Sequence, residues 1–170
     1  LLDSVTGNLL VEPRSERREV IVNGARYPQM LDIYPDPDGG LTVVNVVDVE
    51  TYLRGVVPLE IGHQDDGYLE AAKAQAVAAR TYVAGHMNQY PDKGFDLQSG
   101  VTDQVYGTID RRHPNADRAG SETRGMILVH DGKPIRANYA STCGGKTAAV
   151  EESFGAKSIP YLKSHDDKMD

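Results

Sequence analysis

Small and apolar residues recur at helical spacing over the longest patterned stretch of the chain, from about Tyr68 to Tyr90. At 100° per residue, one stripe of this stretch is apolar and the opposite side is also made of small residues. The stripe consists of Leu69, Ala72, Ala76, Val83 and Met87, and the small residues opposite are Ala71, Ala74, Ala78 and Gly85. The pattern therefore predicts one long central helix that is buried on most of its sides.

Arg80 falls inside this apolar stripe. A buried guanidinium without a partner costs several kcal/mol, so we expect its side chain to bind a carboxylate or backbone carbonyl groups. Asp48 and Glu60 are the candidate carboxylates.

Residues 1–47 favour strands and turns, and we predict that they form a small N-terminal β unit. The Asn23-Gly24 pair follows β-branched residues, which is a strong signal for a hairpin. A further strand is expected around Met30–Tyr34. The Val- and Thr-rich run Leu41–Val47 predicts a buried strand.

A short helix is predicted after Asp48, which stands where an N-cap residue belongs. Pro58 is expected to end or bend this helix. Glu60 follows in a turn between Pro58 and Gly62, with a large apolar residue on either side. Such surroundings favour the protonated form of a carboxyl group, which a general acid needs, although a Glu in a loop is more often simply solvated.

In the C-terminal half the strongest signal is Asp131-Gly132, which predicts a hairpin between strands Met126–His130 and Lys133–Ser141. A short amphipathic helix is predicted over Asn115–Arg124. The Gly144-Gly145 pair after the last strand would let backbone approach a ligand closely.

Together these elements predict an α+β fold with a mixed, largely antiparallel sheet and one long central helix. We expect a single domain over residues 1–170, with its core in residues 48–165.

Composition narrows the possible functions. The chain has 170 residues and a net charge of −7, so it has no basic field to attract nucleic acid or an anionic membrane.

The single cysteine, Cys143, excludes an internal disulfide and has no evident His base. The five histidines lack metal-ligand spacing, so we expect no metal and no cofactor. The chain has no membrane-spanning apolar run and does not begin with Met, so we expect any signal or anchor to lie outside this sequence.

Several stretches together resemble the domain family of stage II sporulation protein D and LytB, the amidase enhancer. They are ETYLRGVVPLEIG, YLEAAKAQAVAARTYV, TDQVYG, SETRGMILVHDGKPIRANYASTCGGKT and FGAKSIPYLKS, and they span roughly Leu41–Ser164. The resemblance implies a peptidoglycan lytic transglycosylase that acts outside the cytoplasm, in the cell wall or anchored to a membrane. Such an enzyme cuts the β-1,4 bond between N-acetylmuramic acid and N-acetylglucosamine in glycan strands stripped of stem peptides.

The resemblance also implies roles for particular residues. Glu60 takes the position of the catalytic residue, which acts first as an acid and then as a base. The positions that line the family's cleft are Gln104, Tyr106, Ser141, Gly144, Gly145 and Thr147. Gln75 and Arg80 lie on the long-helix motif and are expected to support the site. Tyr139 and Tyr52 are further candidates, with Tyr106, for stacking on sugar rings.

Two features of the resemblance limit what it implies. The segment FDLQSGVTD has no Cys or His where some members carry a zinc motif, so we expect no zinc. The family also includes enhancers, which leaves a non-catalytic module that binds wall glycan or stimulates an amidase as the alternative. The partners expected are peptidoglycan strands, together with another wall hydrolase such as an amidase, or a sporulation complex. The cleft is expected between Glu60 and the turn Tyr139–Thr147.

Overall fold

The structure is a computed structural model that describes residues 7–14, 18–62, 65–140 and 142–167. The chain forms two compact units, Leu1–Asn138 and Tyr139–Asp170. Its small antiparallel sheets and several helices confirm the α+β class. Among the described residues, none of the helices combines the length and the apolar character needed to cross a membrane.

The N-terminal β unit contains a three-stranded sheet and a separate hairpin. Its strands are β1 (Leu9–Val11), β2 (Glu19–Val22), β3 (Ala25–Pro28), β4 (Met30–Pro35) and β5 (Leu41–Val46). The sheet has the order β1-β4-β5, and β2 pairs with β3; all of these pairs are antiparallel. The Asn23-Gly24 prediction is confirmed, because both residues have the positive φ of a tight hairpin turn.

The prediction of a buried strand at Leu41–Val47 is wrong. Strand β5 lies at the edge of its sheet, and Leu41 and Val43 are 71% and 48% exposed. A run of Val and Thr suits any pleated surface, so composition does not distinguish an edge strand from a central one.

Helix α1 (Val49–Ile61) begins as predicted, because the Asp48 carboxylate accepts a hydrogen bond of 3.0 Å from the Thr51 N–H. It does not end at Pro58, which lies inside it, and Glu60 is therefore in the last helical turn. Proline in a helix costs about 3 kcal/mol. Burial of apolar side chains in this stretch, worth about 1.5–3 kcal/mol each, offsets that cost.

Helix α2 (Leu69–His86) is shorter than predicted, because Met87 already has an extended ψ of 138°. Its apolar stripe is confirmed at Leu69, Ala72 and Ala76, which lie in or against the core, whereas Met87 follows the helix and is 55% exposed. The core shared by α1, α2 and α3 (Pro114–Glu122) consists of Leu53, Val56, Val57, Ala72, Ala76, Ala79, Ala116 and Ala119. Burial on most sides is wrong, since Ala71, Ala74 and Gly85 are exposed. Two helices cover one side of α2, and its small residues elsewhere face solvent.

The predicted hairpin at Asp131-Gly132 is confirmed, with both residues at positive φ, but its strands are much shorter than expected. They are β6 (Val129–His130) and β7 (Lys133–Pro134). A hydrogen bond of 3.0 Å from the Ile135 N–H to the Leu128 carbonyl continues the pairing by one step.

The C-terminal unit contains helix α4 (Val150–Phe154), which ends at Gly155 with a φ of 58°. Two of its segments pair through backbone hydrogen bonds, Thr147 N–H to the His165 carbonyl at 2.8 Å and Asp167 N–H to the Gly145 carbonyl at 2.9 Å. Gly144 and Gly145 have φ values of 64° and 90°, a turn that other residues adopt only with strain.

Arg80 is 4% exposed and bound to a carboxylate, as a buried guanidinium requires. The carboxylate is Glu50 rather than Asp48 or Glu60. The contact is bidentate, with Nε to Oε1 at 3.0 Å and Nη2 to Oε2 at 2.9 Å. The guanidinium also donates to the carbonyls of Gly120 and Met126, at 3.3 and 3.0 Å. One side chain of α2 thereby joins the start of α1 to the end of α3.

Candidate functional site

Glu60 lies at the C-terminal end of α1, half-buried, with its side chain directed toward a neighbouring segment of the chain. Its Oε1 accepts a hydrogen bond of 2.6 Å from the Val105 N–H. No Lys, Arg or His of the described residues forms an ion pair with this carboxylate. The Glu60 side chain is therefore oriented by a neutral backbone donor.

The donor reaches Glu60 because the chain around Val105 runs very close to α1. The Gly107 N–H donates to the Gly55 carbonyl at 3.0 Å. A Cβ on Gly55 would lie 2.6 Å from the Gly107 oxygen and 2.7 Å from the Tyr106 ring. A Cβ on Gly107 would lie 2.7 Å from a Leu59 methyl group. Both positions therefore require glycine so that backbone can lie against the helix.

Gln104 is fully buried, with 0% of its surface exposed. Its Oε1 accepts a hydrogen bond of 3.1 Å from the Tyr52 hydroxyl, and its Nε2 donates to the Ala79 carbonyl at 3.4 Å. The side chain thus connects α1 with α2 and starts the segment that carries Val105. Its predicted contact with substrate stays a prediction, and in this conformation its amide is enclosed by protein.

Tyr106 is held on two sides. Its ring stacks on Tyr52 with 4.9 Å between centroids and 21° between planes. Its hydroxyl donates to Oδ1 of Asn45 at 2.5 Å. Burial raises the pKa of the Tyr106 hydroxyl to about 12; nearby Arg112 opposes this rise and Tyr27 adds to it. The predicted aromatic residue therefore follows Val105, the residue whose N–H binds Glu60, and is held by two contacts.

The residues predicted to support the site differ in how well their polar groups are satisfied. Arg80 is saturated by Glu50 and by the carbonyl groups of Ala76, Gly120 and Met126, and it joins α1 and α3 to α2. Gln75 has a buried Nε2 without a hydrogen-bond partner among the residues that the structure describes. Its supporting role stays a prediction.

The remaining predicted ligands belong to the C-terminal unit. Tyr139, Gly144, Gly145 and Thr147 lie there, while Ser141 is outside the described residues. The Thr147 hydroxyl accepts a hydrogen bond of 2.8 Å from the His165 N–H, so it helps to close the paired segments of that unit. The predicted cleft between Glu60 and this turn stays a prediction. In the described ranges, no group of three or more His, Cys, Asp or Glu side chains is arranged to hold a metal ion.

Sequence reasoning missed Asn45 and Val105. A signal for Asn45 was present, because it is the one amide in the run LTVVNVV, where an apolar strand residue would be expected. Val105 contributes only its backbone N–H, which no side-chain pattern can reveal.

Comparison with known proteins places these features in a family. The model of the family described as Stage II sporulation protein matches residues 37–130. An uncharacterized protein of Brachyspira hyodysenteriae is 37% identical over 142 residues, which cover 83% of this chain and 38% of that protein. The amidase enhancer of Bacillus subtilis is 36% identical over 118 residues, 69% of this chain and 15% of that protein.

A third relative, stage II sporulation protein D of Bacillus amyloliquefaciens, is 33% identical over 136 residues, 71% of this chain and 39% of that protein. The chain therefore spans about two fifths or less of the length of these curated relatives. No solved structure matches the chain.

Proposed function

The chain belongs to the stage II sporulation protein family, and from that premise we propose that it is a lytic transglycosylase of bacterial peptidoglycan. Its substrate is the β-1,4 bond between N-acetylmuramic acid and N-acetylglucosamine in glycan strands that have lost their stem peptides. Glu60 is its catalytic residue. Its place of action is outside the cytoplasm, at the cell wall, and its reaction needs no cofactor.

The observation that carries this proposal is the environment of the Glu60 carboxylate. Oε1 is held at 2.6 Å by the Val105 N–H, and no cation of the described residues neutralises the side chain. A carboxylate locked in an ion pair resists protonation, whereas one held by a neutral donor can carry a proton on its other oxygen. The fixed orientation is what proton transfer in a transition state requires.

One carboxylate suffices for this reaction. Most glycosidases need two, because one activates an external water molecule. Here the nucleophile is the C6 hydroxyl of the muramic acid being cleaved, so the attack is intramolecular and gains a high effective molarity.

Glu60 gives up one proton and gains another during the reaction, so it ends the reaction protonated. Glu60 donates it to the glycosidic oxygen while the bond from C1 to that oxygen breaks. The resulting carboxylate accepts the proton of the C6 hydroxyl while the bond from O6 to C1 forms. The products are a 1,6-anhydromuramic acid end and a free hydroxyl on the released sugar, and no water is consumed.

Contacts to the glycan are proposed for the other predicted residues. Tyr106 and Tyr139 offer rings for stacking on sugars, and the Gly144-Gly145 backbone offers N–H donors. Ser141 and Thr147 offer hydroxyl groups for the N-acetyl substituents. Gln104 and Arg80 serve the site indirectly, by holding helices and the Val105 segment in place. Gln75 is proposed to support the site from the long-helix motif.

The direct test is Glu60→Gln, assayed by mass spectrometry of products from peptide-free glycan strands. General acid–base catalysis contributes roughly 10²–10⁴-fold, and the variant should lose at least that much of the 1,6-anhydro product. Glu70→Gln is the matched control, because Glu70 is an exposed glutamate on α2 whose side chain is 83% exposed. Full activity of the Glu60 variant, or a reducing muramic acid end in place of the anhydro ring, would overturn the proposal.

A second candidate function is supported by one relative. A protein that is 36% identical to this chain is named an amidase enhancer. On that hypothesis the chain binds glycan strands or an amidase without cutting the glycan. Intact strands after long incubation, together with saturable binding or a faster amidase reaction, would favour this function over the first.

A further inference from the structure

Asn45 lies in strand β5, outside every motif that the family resemblance assigns to the site. Its side-chain amide makes hydrogen bonds to three partners. Nδ2 donates to the Pro28 carbonyl at 2.7 Å and to the Met30 carbonyl at 2.8 Å, and Oδ1 accepts from the Tyr106 hydroxyl at 2.5 Å. The amide N–H donors and its oxygen therefore all have partners within the described part of the chain.

The two carbonyl contacts fix the orientation of this amide. Pro28 and Met30 flank Gln29, which has a φ of 61° and forms the sharp corner between β3 and β4. A carbonyl oxygen cannot donate a hydrogen bond, so the donor Nδ2 must face the two carbonyls of the corner and Oδ1 must face Tyr106. The β unit thus presents an acceptor at a set position.

Tyr106 transmits that position to Glu60. Its ring lies against α1 so closely that a Cβ on Gly55 would stand 2.7 Å from it. Its own backbone joins Val105, whose N–H holds the Glu60 carboxylate, to Gly107, whose N–H binds the Gly55 carbonyl. A shift of the ring therefore moves the peptide that carries the donor.

We propose that Asn45 is a positioning residue for Glu60: it anchors the Tyr106 hydroxyl to the β3–β4 corner and so places the Val105 N–H against the catalytic carboxylate. This inference rests on the proposed function. It assigns the N-terminal β unit a part in the chemistry, because the β3–β4 corner fixes the orientation of the Glu60 carboxyl group through Asn45, Tyr106 and the Val105 N–H.

The experiment uses Asn45→Ala, Tyr106→Phe and the double variant in the full chain. Tyr106→Phe keeps the ring, the Tyr52 stack and the bonds from Asn45 to the corner, so it removes only the contact in question. A misplacement of about 1 Å can cost on the order of 10²-fold in rate. We therefore expect kcat to fall about 10- to 100-fold in each single variant, with a smaller change in KM. The kcat of the double variant should be little lower than that of either single variant, because both substitutions remove the same contact between Asn45 and Tyr106.

A second readout does not depend on activity. Amide hydrogen exchange followed by NMR reports the bond between the Val105 N–H and Glu60 directly. In each variant the Val105 amide proton should exchange at least about tenfold faster than in the wild type, and the resonance of this proton should shift. Thr42→Val is the matched control on the same strand, since the Thr42 hydroxyl donates to the Asp36 carboxylate at 3.2 Å and lies outside the pathway from Asn45 to Glu60. It should leave both kcat and the Val105 amide unchanged.

The outcomes separate this inference from the proposed function. If the wild type makes no anhydro product but the variants release the Val105 amide, the catalytic proposal fails and the positioning of Glu60 stands. If the wild type is active and Tyr106→Phe leaves both kcat and the Val105 amide at wild-type values, Asn45 has only a structural role and the inference is overturned.

Discussion

The two ends of helix α1 each carry a half-buried glutamate, and the two side chains have opposite surroundings. Glu50, in the first turn, faces the Arg80 guanidinium in a bidentate contact and also accepts from the Gly125 N–H at 3.1 Å. Burial acts to raise the pKa of Glu50, but the hydrogen bonds from Arg80 and Gly125 and the positive charge of Arg80 outweigh it, so the pKa is lowered. Glu60, about 15 Å further along the helix axis, has a backbone N–H as its donor.

This difference shows that the groups bound to a buried carboxylate determine whether it remains charged. The residue type and the helix are the same at the two positions. Glu50 is held in its charged form by a cation that is itself buried, so it contributes to the fold and is unsuited to exchange protons. Glu60 is held in place by a backbone N–H without a compensating charge, which is the arrangement on which its proposed catalytic role rests. The N-terminal end of α1 is a structural anchor, and the C-terminal end is the candidate site.

The largest expected effect comes from breaking the structural anchor. Glu50→Gln leaves the Arg80 guanidinium buried without a counter-charge, and we expect the free energy of unfolding to fall by about 3–5 kcal/mol. Glu60→Gln is the matched change at the other end of α1 and should alter stability by about 1 kcal/mol or less. Urea unfolding of both variants at neutral pH measures the contrast. Equal losses would show that the two ends do not differ as described.

Unfolding at alkaline pH tests the burial of the Tyr106 hydroxyl near the C-terminal end of α1. Burial raises the pKa of Tyr106 to about 12, against an ordinary value of 10.0. Between these pH values the unfolded chain releases the phenolic proton while the folded chain retains it, so this residue's contribution to stability is full below pH 10 and is lost as the pH rises toward 12.

Tyr106→Phe has no proton to release at this position. The stability advantage of the wild type over this variant should therefore shrink by about 2–3 kcal/mol across that pH window. The measurement is urea unfolding of both proteins in steps from about pH 9 to about pH 12. A difference that stays constant throughout would mean that the Tyr106 hydroxyl is not buried in the folded protein.

A smaller effect is expected from filling the space between α1 and the Val105 segment. Gly55→Ala places a methyl group 2.6 Å from the Gly107 oxygen, and we expect a loss of about 2 kcal/mol together with reduced activity. Gly85→Ala in α2 is the control, because its nearest atom is 3.8 Å away and alanine favours a helix by up to about 1 kcal/mol. Thermal unfolding should show opposite shifts, and a stabilised Gly55 variant would contradict the close approach.

Local signals in the sequence predicted the elements that neighbouring residues decide. The Asn23-Gly24 and Asp131-Gly132 turns, the Asp48 cap and the first half of the apolar stripe of α2 all depend on residues close together in the chain, and all are confirmed. Helix α1 continues past Pro58, so of the two predicted effects of this proline an end to the helix is wrong. The buried strand predicted at Leu41–Val47 is also wrong. The cost of a proline and the burial of a strand both depend on what packs around them.

The amino-acid sequence by itself determined which chemistry is available: one glutamate among apolar neighbours, a buried arginine on the long helix, and the motifs of the stage II sporulation protein family. The tertiary structure alone decided how those groups are used. It brought Glu50 rather than Asp48 or Glu60 to Arg80, enclosed Gln104, and placed the Val105 N–H against Glu60 from 45 residues away. Contacts between residues so distant in the chain follow from the packing of whole helices, and no local pattern of side chains specifies them.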